Sequence, residues 1–299
     1  MPIPTRRISV LLAPPPYLAV ANFDAPGALT ATDPVGPKGP SAAVAWSGAT
    51  WAAAGGTATN TPTQGGELVT DGGMENWASA TDLTSWTESP AGASTVNREG
   101  TIKNSGSFSV RLDISAGNES AAVSQTVTYP GGWLVVSMYV QGTVGKKYRL
   151  FIEGIYNFDV SLTADFVKKV VVVRTGANPS IAMNRFTAAS SSIYFDDFSA
   201  KALTLSTLFS SVSVSVADVF ASAAVVVTAG TQAGLVVNLD STGSPANFVI
   251  CYHDGTNVKL EKSVAGTYTT VFSGAVTYSA GAALRVHKTG TALYVTAPL

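Results

Sequence analysis

Charge is scarce in this chain. Asp, Glu, Lys and Arg make up 12% of its 299 residues, against a usual share of about 25%. The two signs nearly cancel, leaving a net charge of −1. That balance gives no electrostatic case for nucleic acid, which normally demands a basic face. Histidine occurs only at His253 and His287, and cysteine only at Cys251. A lone cysteine forms no internal disulfide, and zinc sites built on cysteine pairs go with it. Two histidines leave little for imidazole-based metal or triad chemistry. No apolar run reaches 18 residues, so no membrane-inserted helix is expected. No Gly-x-Ser-x-Gly elbow, phosphate loop or His-Glu-x-x-His helix occurs.

Ala, Val, Ser, Thr and Gly fill the space that charge leaves. Small and β-branched side chains suit pleated sheets and tight turns. No segment keeps a helical period over three turns, whereas period-two alternation recurs. Phe108, Val110, Leu112 and Ile114 share one face against Ser109, Arg111 and Asp113. Leu134, Val136, Met138 and Val140 alternate with Trp133, Ser137, Tyr139 and Gln141, and Tyr148, Leu150 and Ile152 with Arg149, Phe151 and Glu153. Val170 to Val173 is a continuous apolar run, as expected of a strand buried on both faces. Beyond residue 204, Leu208 to Phe220 alternates. Strand candidates follow at 222–228, 233–240, 247–253, 257–263, 268–277, 282–288 and 291–296. Asp240–Gly243, Asp254–Asn257, Ala265–Gly266 and Thr289–Gly290 mark the turns between them. The chain reads as all-β, built of sandwiches.

Two stretches carry a resemblance. Gly66-Glu67-Leu68-Val69-Thr70-Asp71-Gly72-Gly73-Met74-Glu75-Asn76-Trp77 is a short strand entering a Gly-Gly turn between acidic groups, and Ile193-Tyr194-Phe195-Asp196-Asp197-Phe198 is a strand with paired carboxylates. Together they resemble the opening and last strand of calcium-containing, family 4/9-like, jelly-roll carbohydrate-binding modules. Those modules are fused to polysaccharide-degrading enzymes and found in phage tail proteins. Their usual opening is Asn-Gly-Gly-Phe-Glu followed by Trp, so Asp71 and Met74 depart from it. The resemblance covers about residues 66–203. A second likeness flanks it. Phe23-Asp24, Gly27-Ala28-Leu29, Trp46, Gly55-Gly56 and, after residue 204, Ala233–Asn238, Tyr252-His253-Asp254-Gly255 and Tyr278–Gly281 resemble concanavalin A-like (laminin G-like) sandwiches.

The expected architecture is therefore two β-sandwich (jelly-roll) domains, one inserted in the other. The outer sandwich takes residues 22–65 plus 204–299, and the inner module 66–203. Such insertion works where the host's two chain ends lie close together, as the first and last strands of a jelly roll do. Arg6 and Arg7 before the apolar stretch Ile8–Ala21 have the outline of a secretory signal. Pro14-Pro15-Pro16 would break its helix, so residues 1–21 read as an extended N-terminal arm.

The resemblance implies structural Ca2+ held by Asp71, Glu75 and one of Asp196 or Asp197, since calcium takes carboxylate and carbonyl oxygens. The alternative is that these acids cap turns, or face solvent with no metal bound. Sugar binding needs exposed aromatic faces flanked by polar groups. Trp86, Tyr139, Tyr148, Tyr156 and Phe158 are the candidates, with Arg149, Glu153, Asn157 and Asp159 beside them. Tyr156–Asp159 lies between predicted strands, where core packing does not account for it; for the others, core or domain-interface packing is the competing account. Trp77 is expected under the opening turn, and Trp46 and Trp51 in the outer core. Asp240 and Asp254 read as turn residues before they read as a lectin-like calcium site. Glu153 and Asp159 could be imagined as a glycosidase pair, but so could any two acids in a sandwich. No enzymatic activity is expected.

Two functions fit. One is a virion structural or adhesion protein, in a phage tail or capsid decoration, meeting other virion subunits and a cell-surface glycan. The other is a secreted carbohydrate-binding fragment of a polysaccharide-acting enzyme. In either case the place is a virion surface or extracellular. The proline-rich arm and a final sheet ending at Thr296–Leu299 point to strand addition between subunits. A symmetric homo-oligomer, a trimer with exchanged arms, is the expected assembly.

Overall fold

The period-two runs fold as strands. The computed structural model describes residues 62–115, 120–152, 156–185, 190–209, 218–225 and 232–296, together with the backbone of short strands in 27–60 and at 211–212. The arm at 1–21 and the side chains of Trp46, Trp51, Tyr156 and Phe158 lie outside the described residues. Four short strands come first: β1 (Gly27–Ala28), β2 (Trp46–Ser47), β3 (Trp51–Ala54) and β4 (Thr57–Asn60). The next eleven are β5 (Gln64–Glu67), β6 (Thr87–Glu88), β7 (Thr95–Glu99), β8 (Ser109–Ile114), β9 (Ala122–Thr126), β10 (Gly132–Gly142), β11 (Lys147–Ile152), β12 (Tyr156–Ser161), β13 (Val167–Thr175), β14 (Ser180–Arg185) and β15 (Ser191–Leu203). The last eight are β16 (Ser211–Val212), β17 (Val219–Ala224), β18 (Ala233–Val237), β19 (Phe248–His253), β20 (Asn257–Val264), β21 (Thr267–Ala275), β22 (Ala283–Thr289) and β23 (Ala292–Thr296).

The fold is all-β and antiparallel. One sheet runs β13-β10-β15-β8-β7, with β5 added beside β15; facing it is a sheet ordered β12-β11-β14-β9-β6. Between them lies a single core. Leu134, Val136, Met138 and Val140 of β10 are buried there with Val110, Leu112 and Ile114 of β8 and with Tyr148, Leu150 and Ile152 of β11. Each fully buried Leu or Ile contributes about 1.5–3 kcal/mol, so the alternation read in the sequence is what pins strand register. The first and last strands meet, with Lys201 opposite Glu67 and Leu203 opposite Gln64.

A second pair of sheets follows. The strands β18-β19-β20-β21 form one and β17-β22-β23 the other. Strand β19 is buried along its whole length. Its Val249 and Cys251 face Leu284 and Val286 across the core of this pair. Its Phe248, Ile250 and Tyr252 face outward, onto Trp133 and Leu203 of the first sandwich. The four sheets thus stack in sequence, with the six-stranded sheet against the four-stranded one. The smaller pairings are a β1-β3-β4 sheet and a β2–β16 ladder that sets Trp46 opposite Val212.

Two expectations change, and a third is described only in part. The run Val170–Val173 is not buried on both faces. Val171 and Val173 enter the core, Val172 packs toward the second pair of sheets and Val170 lines a groove. Tyr156–Asp159 is not a loop but part of β12, paired along β11 with Tyr156 opposite Ile152 and Phe158 opposite Leu150. The alternating segment from Leu208 is strand at Ser211–Val212, and residues 213–217 lie outside the described residues.

Candidate functional site

The opening turn is organised by Asp71. Its carboxylate accepts the Glu75 and Asn76 amides, both at 3.0 Å, and its carbonyl accepts the Trp86 indole N–H at 3.2 Å. Asp71 has φ +54°, a conformation that short polar side chains tolerate best. Gly72 gives its carbonyl to the Phe198 amide at 2.7 Å. A Cβ at Gly72 would collide with the Phe198 carbonyl oxygen, so only glycine lets β15 come this close. Trp77 lies under the turn, its indole N–H on the Met74 carbonyl at 2.7 Å.

The remaining acids suspend the loop at 100–108. Glu75 accepts the Ser107 and Phe108 amides at 2.8 and 3.2 Å. Asp196, with no solvent exposure, accepts the Asn104, Ser105 and Asp197 amides at 2.7, 3.0 and 2.8 Å. Burial raises the pKa of Asp196 above the usual carboxylate value and the neighbouring Asp197 charge adds to that, against the lowering effect of the three amides. Asp197 accepts the Asn104 side-chain amide at 2.7 Å and the Ser105 hydroxyl at 2.8 Å. Lys103 donates to the loop carbonyls of Gly100 and Ser107, each at 3.1 Å.

A calcium ion needs six to eight oxygens turned toward it. Here Glu75 Oε1 and both Asp196 oxygens face N–H donors, and an ammonium already takes two loop carbonyls. Among the described residues no three carboxylate, imidazole or thiol groups converge. Arranged this way, Asp71, Glu75, Asp196 and Asp197 fit a hydrogen-bonded staple and do not fit a calcium cage.

Two of the sugar-binding candidates are core. Trp86 is 6% exposed and meets Phe198 edge-on at 5.4 Å. Tyr148 is wholly buried against Phe195, 5.8 Å between ring centroids. Neither offers a ring face to a ligand. Tyr139 does remain on the outer face of the six-stranded sheet. It stands at the edge of a groove of about 360 Å3 lined by Gln64, Asn104, Val135, Ser137, Tyr139, Lys168, Val170, Asp197, Ser199 and Lys201.

Sheet periodicity accounts for this groove. The outward positions of β10, Val135, Ser137 and Tyr139, lie beside Lys168 and Val170 of β13 and Asp197, Ser199 and Lys201 of β15. The stapled loop adds Asn104, and β5 adds Gln64. Lys168 Nζ lies 5.8 Å from the Tyr139 ring centroid, a cation–π distance. Ser199 is held by Glu67, Oγ to Oε2 at 2.6 Å. Asp197 is the only carboxylate among the lining residues. Farther along the same face Arg111 pairs with Glu99 and Asp113, each at 2.8 Å. Burial would raise the Glu99 pKa, but the Thr101 and Ile102 amides and Arg111 outweigh it and hold it low.

The second pair of sheets closes the other end of this face. Trp133 donates its indole N–H to the Tyr268 hydroxyl at 3.1 Å and meets Tyr252 and Tyr268 edge-on. Arg174 pairs with the buried Glu261 at 3.1 Å and lies 4.1 Å over the Tyr268 ring. The other sequence candidates act locally. Asp240 accepts the Ala246 and Asn247 amides, and Asp254 those of Thr256 and Asn257, each within its own turn. Buried His253 accepts the Gly255 amide on Nδ1, leaving its Nε2–H for the Val276 carbonyl. Burial pushes the Cys251 thiol up to about 12, which leaves it inert. Lys168, Lys201, Asn104 and Gln64 were not foreseen as groove residues, because no local pattern joins them.

No protein-family model matches the sequence, and no curated protein sequence does. Among solved structures, the chain is similar to the enzymatically active domain of tailspike protein 4 of bacteriophage CBA120, at 16% identity and TM-score 0.38 over 46% of this chain and 21% of that one. It is similar to TmCBM61 in complex with β-1,4-galactotriose, at 19% identity and TM-score 0.37 over 46% of this chain and 98% of that one. It is also similar to the CBM22-1 xylan-binding domain of Xyn10C from Paenibacillus barcinonensis, at 14% identity and TM-score 0.34 over 48% of this chain and 97% of that one. The chain spans about a fifth of the tailspike domain's length.

Proposed function

We propose that the chain is a non-enzymatic glycan-binding adhesion protein of a virion, and that the groove beside Tyr139 holds the saccharide. The groove's composition carries this reading. One aromatic ring borders a floor with Val135 and Val170, and amide, hydroxyl, ammonium and carboxylate groups surround it. Sugars present apolar C–H faces and a rim of hydroxyls that both donate and accept, and this lining answers both. Hydrolysis of a glycosidic bond needs two carboxylates flanking it. The groove has Asp197 alone, with its oxygens committed to Asn104 and Ser105.

The inserted arrangement belongs to the same reading. It is supported by the β2–β16 ladder, which joins a segment before the inner module to one after it, and by the pairing of β5 with β15. In a virion the outer sandwich anchors the protein to other subunits as a homo-oligomer, a trimer with exchanged arms. If deleting residues 2–20 leaves the native mass unchanged, arm exchange is wrong.

A glycan array probed with the full chain and with Tyr139→Ala tests the binding role. Removing one aromatic stacking partner and its contact area is expected to weaken binding about tenfold or more. Equal binding by the two proteins, or none by either, contradicts the proposal.

A further inference from the structure

The outer face of the three-stranded sheet bears an aromatic row that the groove does not use. Register sets Phe220 of β17 opposite His287 of β22, and His287 opposite Tyr294 of β23. The ring centroids are 6.1 and 6.0 Å apart in turn. Phe220 is 48% and Tyr294 59% exposed. The alternate residues, Ala221, Leu284, Val286, Leu293 and Val295, turn inward to the core, so the aromatic row is not needed to close the sandwich. Exposed aromatics grouped on one face mark contact surfaces more often than isolated ones do.

The adjacent row along the same strands is polar. Ser222 lies opposite Arg285, and Arg285 opposite Thr296, all three exposed. Arg285 makes no ion pair among the described residues. The carboxylate of Asp218, which borders the sheet, is tied to the Gly290 amide on the other side of the aromatic row. Among the described residues the face therefore offers an unpaired guanidinium and two hydroxyls beside exposed aromatic side chains. A guanidinium fork matches a carboxylate in two parallel hydrogen bonds, and Tyr or Phe rings stack on the C–H face of a sugar ring.

From this charge complementarity we infer that the sheet binds a carboxylate-bearing saccharide, with Arg285 on the carboxylate and Tyr294 and Phe220 against the ring faces. This second site is separate from the Tyr139 groove and lies on a different sheet.

The test titrates the full chain with trigalacturonate and with its neutral methyl ester, using calorimetry or NMR shift mapping. Binding of the acid and a loss of about tenfold or more for the ester are expected, the value of a charge-assisted pair. Arg285→Ala and Tyr294→Ala should each weaken the acid by a similar factor, and Arg285→Lys by less. Both positions are exposed, so an unchanged melting temperature shows that the fold is kept. Tyr139→Ala should leave trigalacturonate binding intact, which separates this site from the groove. Absence of binding, equal binding of acid and ester, or full binding by Arg285→Ala would overturn the inference.

Discussion

Replacing Asp196 with alanine strikes the staple that holds the 100–108 loop against the groove. The side chain has no solvent exposure and accepts three amides, from Asn104, Ser105 and Asp197. Leaving a buried amide without a partner costs about 1–3 kcal/mol. Asn104 and Ser105 are exposed residues, so water can reach much of what they lose, and the Asp197 amide bears the larger share. Some of this is returned, because an ionised group no longer has to be kept from water. The net cost is about 2–3 kcal/mol, or a fall of about 5–10 °C in melting temperature for a unit of this size. Asp196→Asn should cost less, because its single carbonyl oxygen can serve one side of the staple while its NH2 meets donors on the other.

The pH dependence has a definite sign. The native pKa of Asp196 lies above the ordinary carboxylate value because of its burial, so between the ordinary and native values the native state holds the extra proton. The stability this group contributes is complete below the unfolded value and is lost as pH rises through the native one. The Asp196→Ala penalty should accordingly be larger in acid than at neutrality. Thermal melts across this range supply the assay. A loss under about 0.5 kcal/mol at every pH, the size of an ordinary surface substitution, would refute the staple.

Two other perturbations follow from the same geometry. Trp133→Ala removes a 7% exposed side chain that packs on Tyr252 and Tyr268, and should cost about 3–5 kcal/mol and split one unfolding transition into two; a single unchanged transition in a calorimetric scan would show that the sandwiches are not coupled there. Excess chelator should leave the melting temperature unchanged, because amides occupy the carboxylates that calcium would need; a fall in the scan would restore the metal.

Much of this fold was legible locally. The alternation of β8, β10 and β11 named both faces of each strand correctly, and it put Tyr148 with Leu150 and Ile152, on the face that proves to be core. That pattern makes Tyr148 a core residue and not a sugar platform. Tyr156, Phe158 and Val160 alternate in the same way, which was the available signal for β12. The turns at Asp240 and Asp254 were legible because Asx chemistry acts over a few residues. The groove beside Tyr139 was not. It joins Gln64, Asn104, Tyr139, Lys168 and Lys201 from five separate segments, and register between distant strands is set by whole-core packing. The fate of the acidic turn was hidden for a similar reason. Sequence shows the carboxylates but not the 100–108 amides that reach them from across the fold.

The most direct test of the central claim is a calorimetric titration of the full chain with the strongest neutral oligosaccharide from the array, repeated with Tyr139→Ala and with Lys201→Ala. Saturable one-site binding that Tyr139→Ala weakens about tenfold or more, and that Lys201→Ala also weakens, is the expected result. Saccharide binding that neither substitution changes would place the ligand elsewhere and contradict the account.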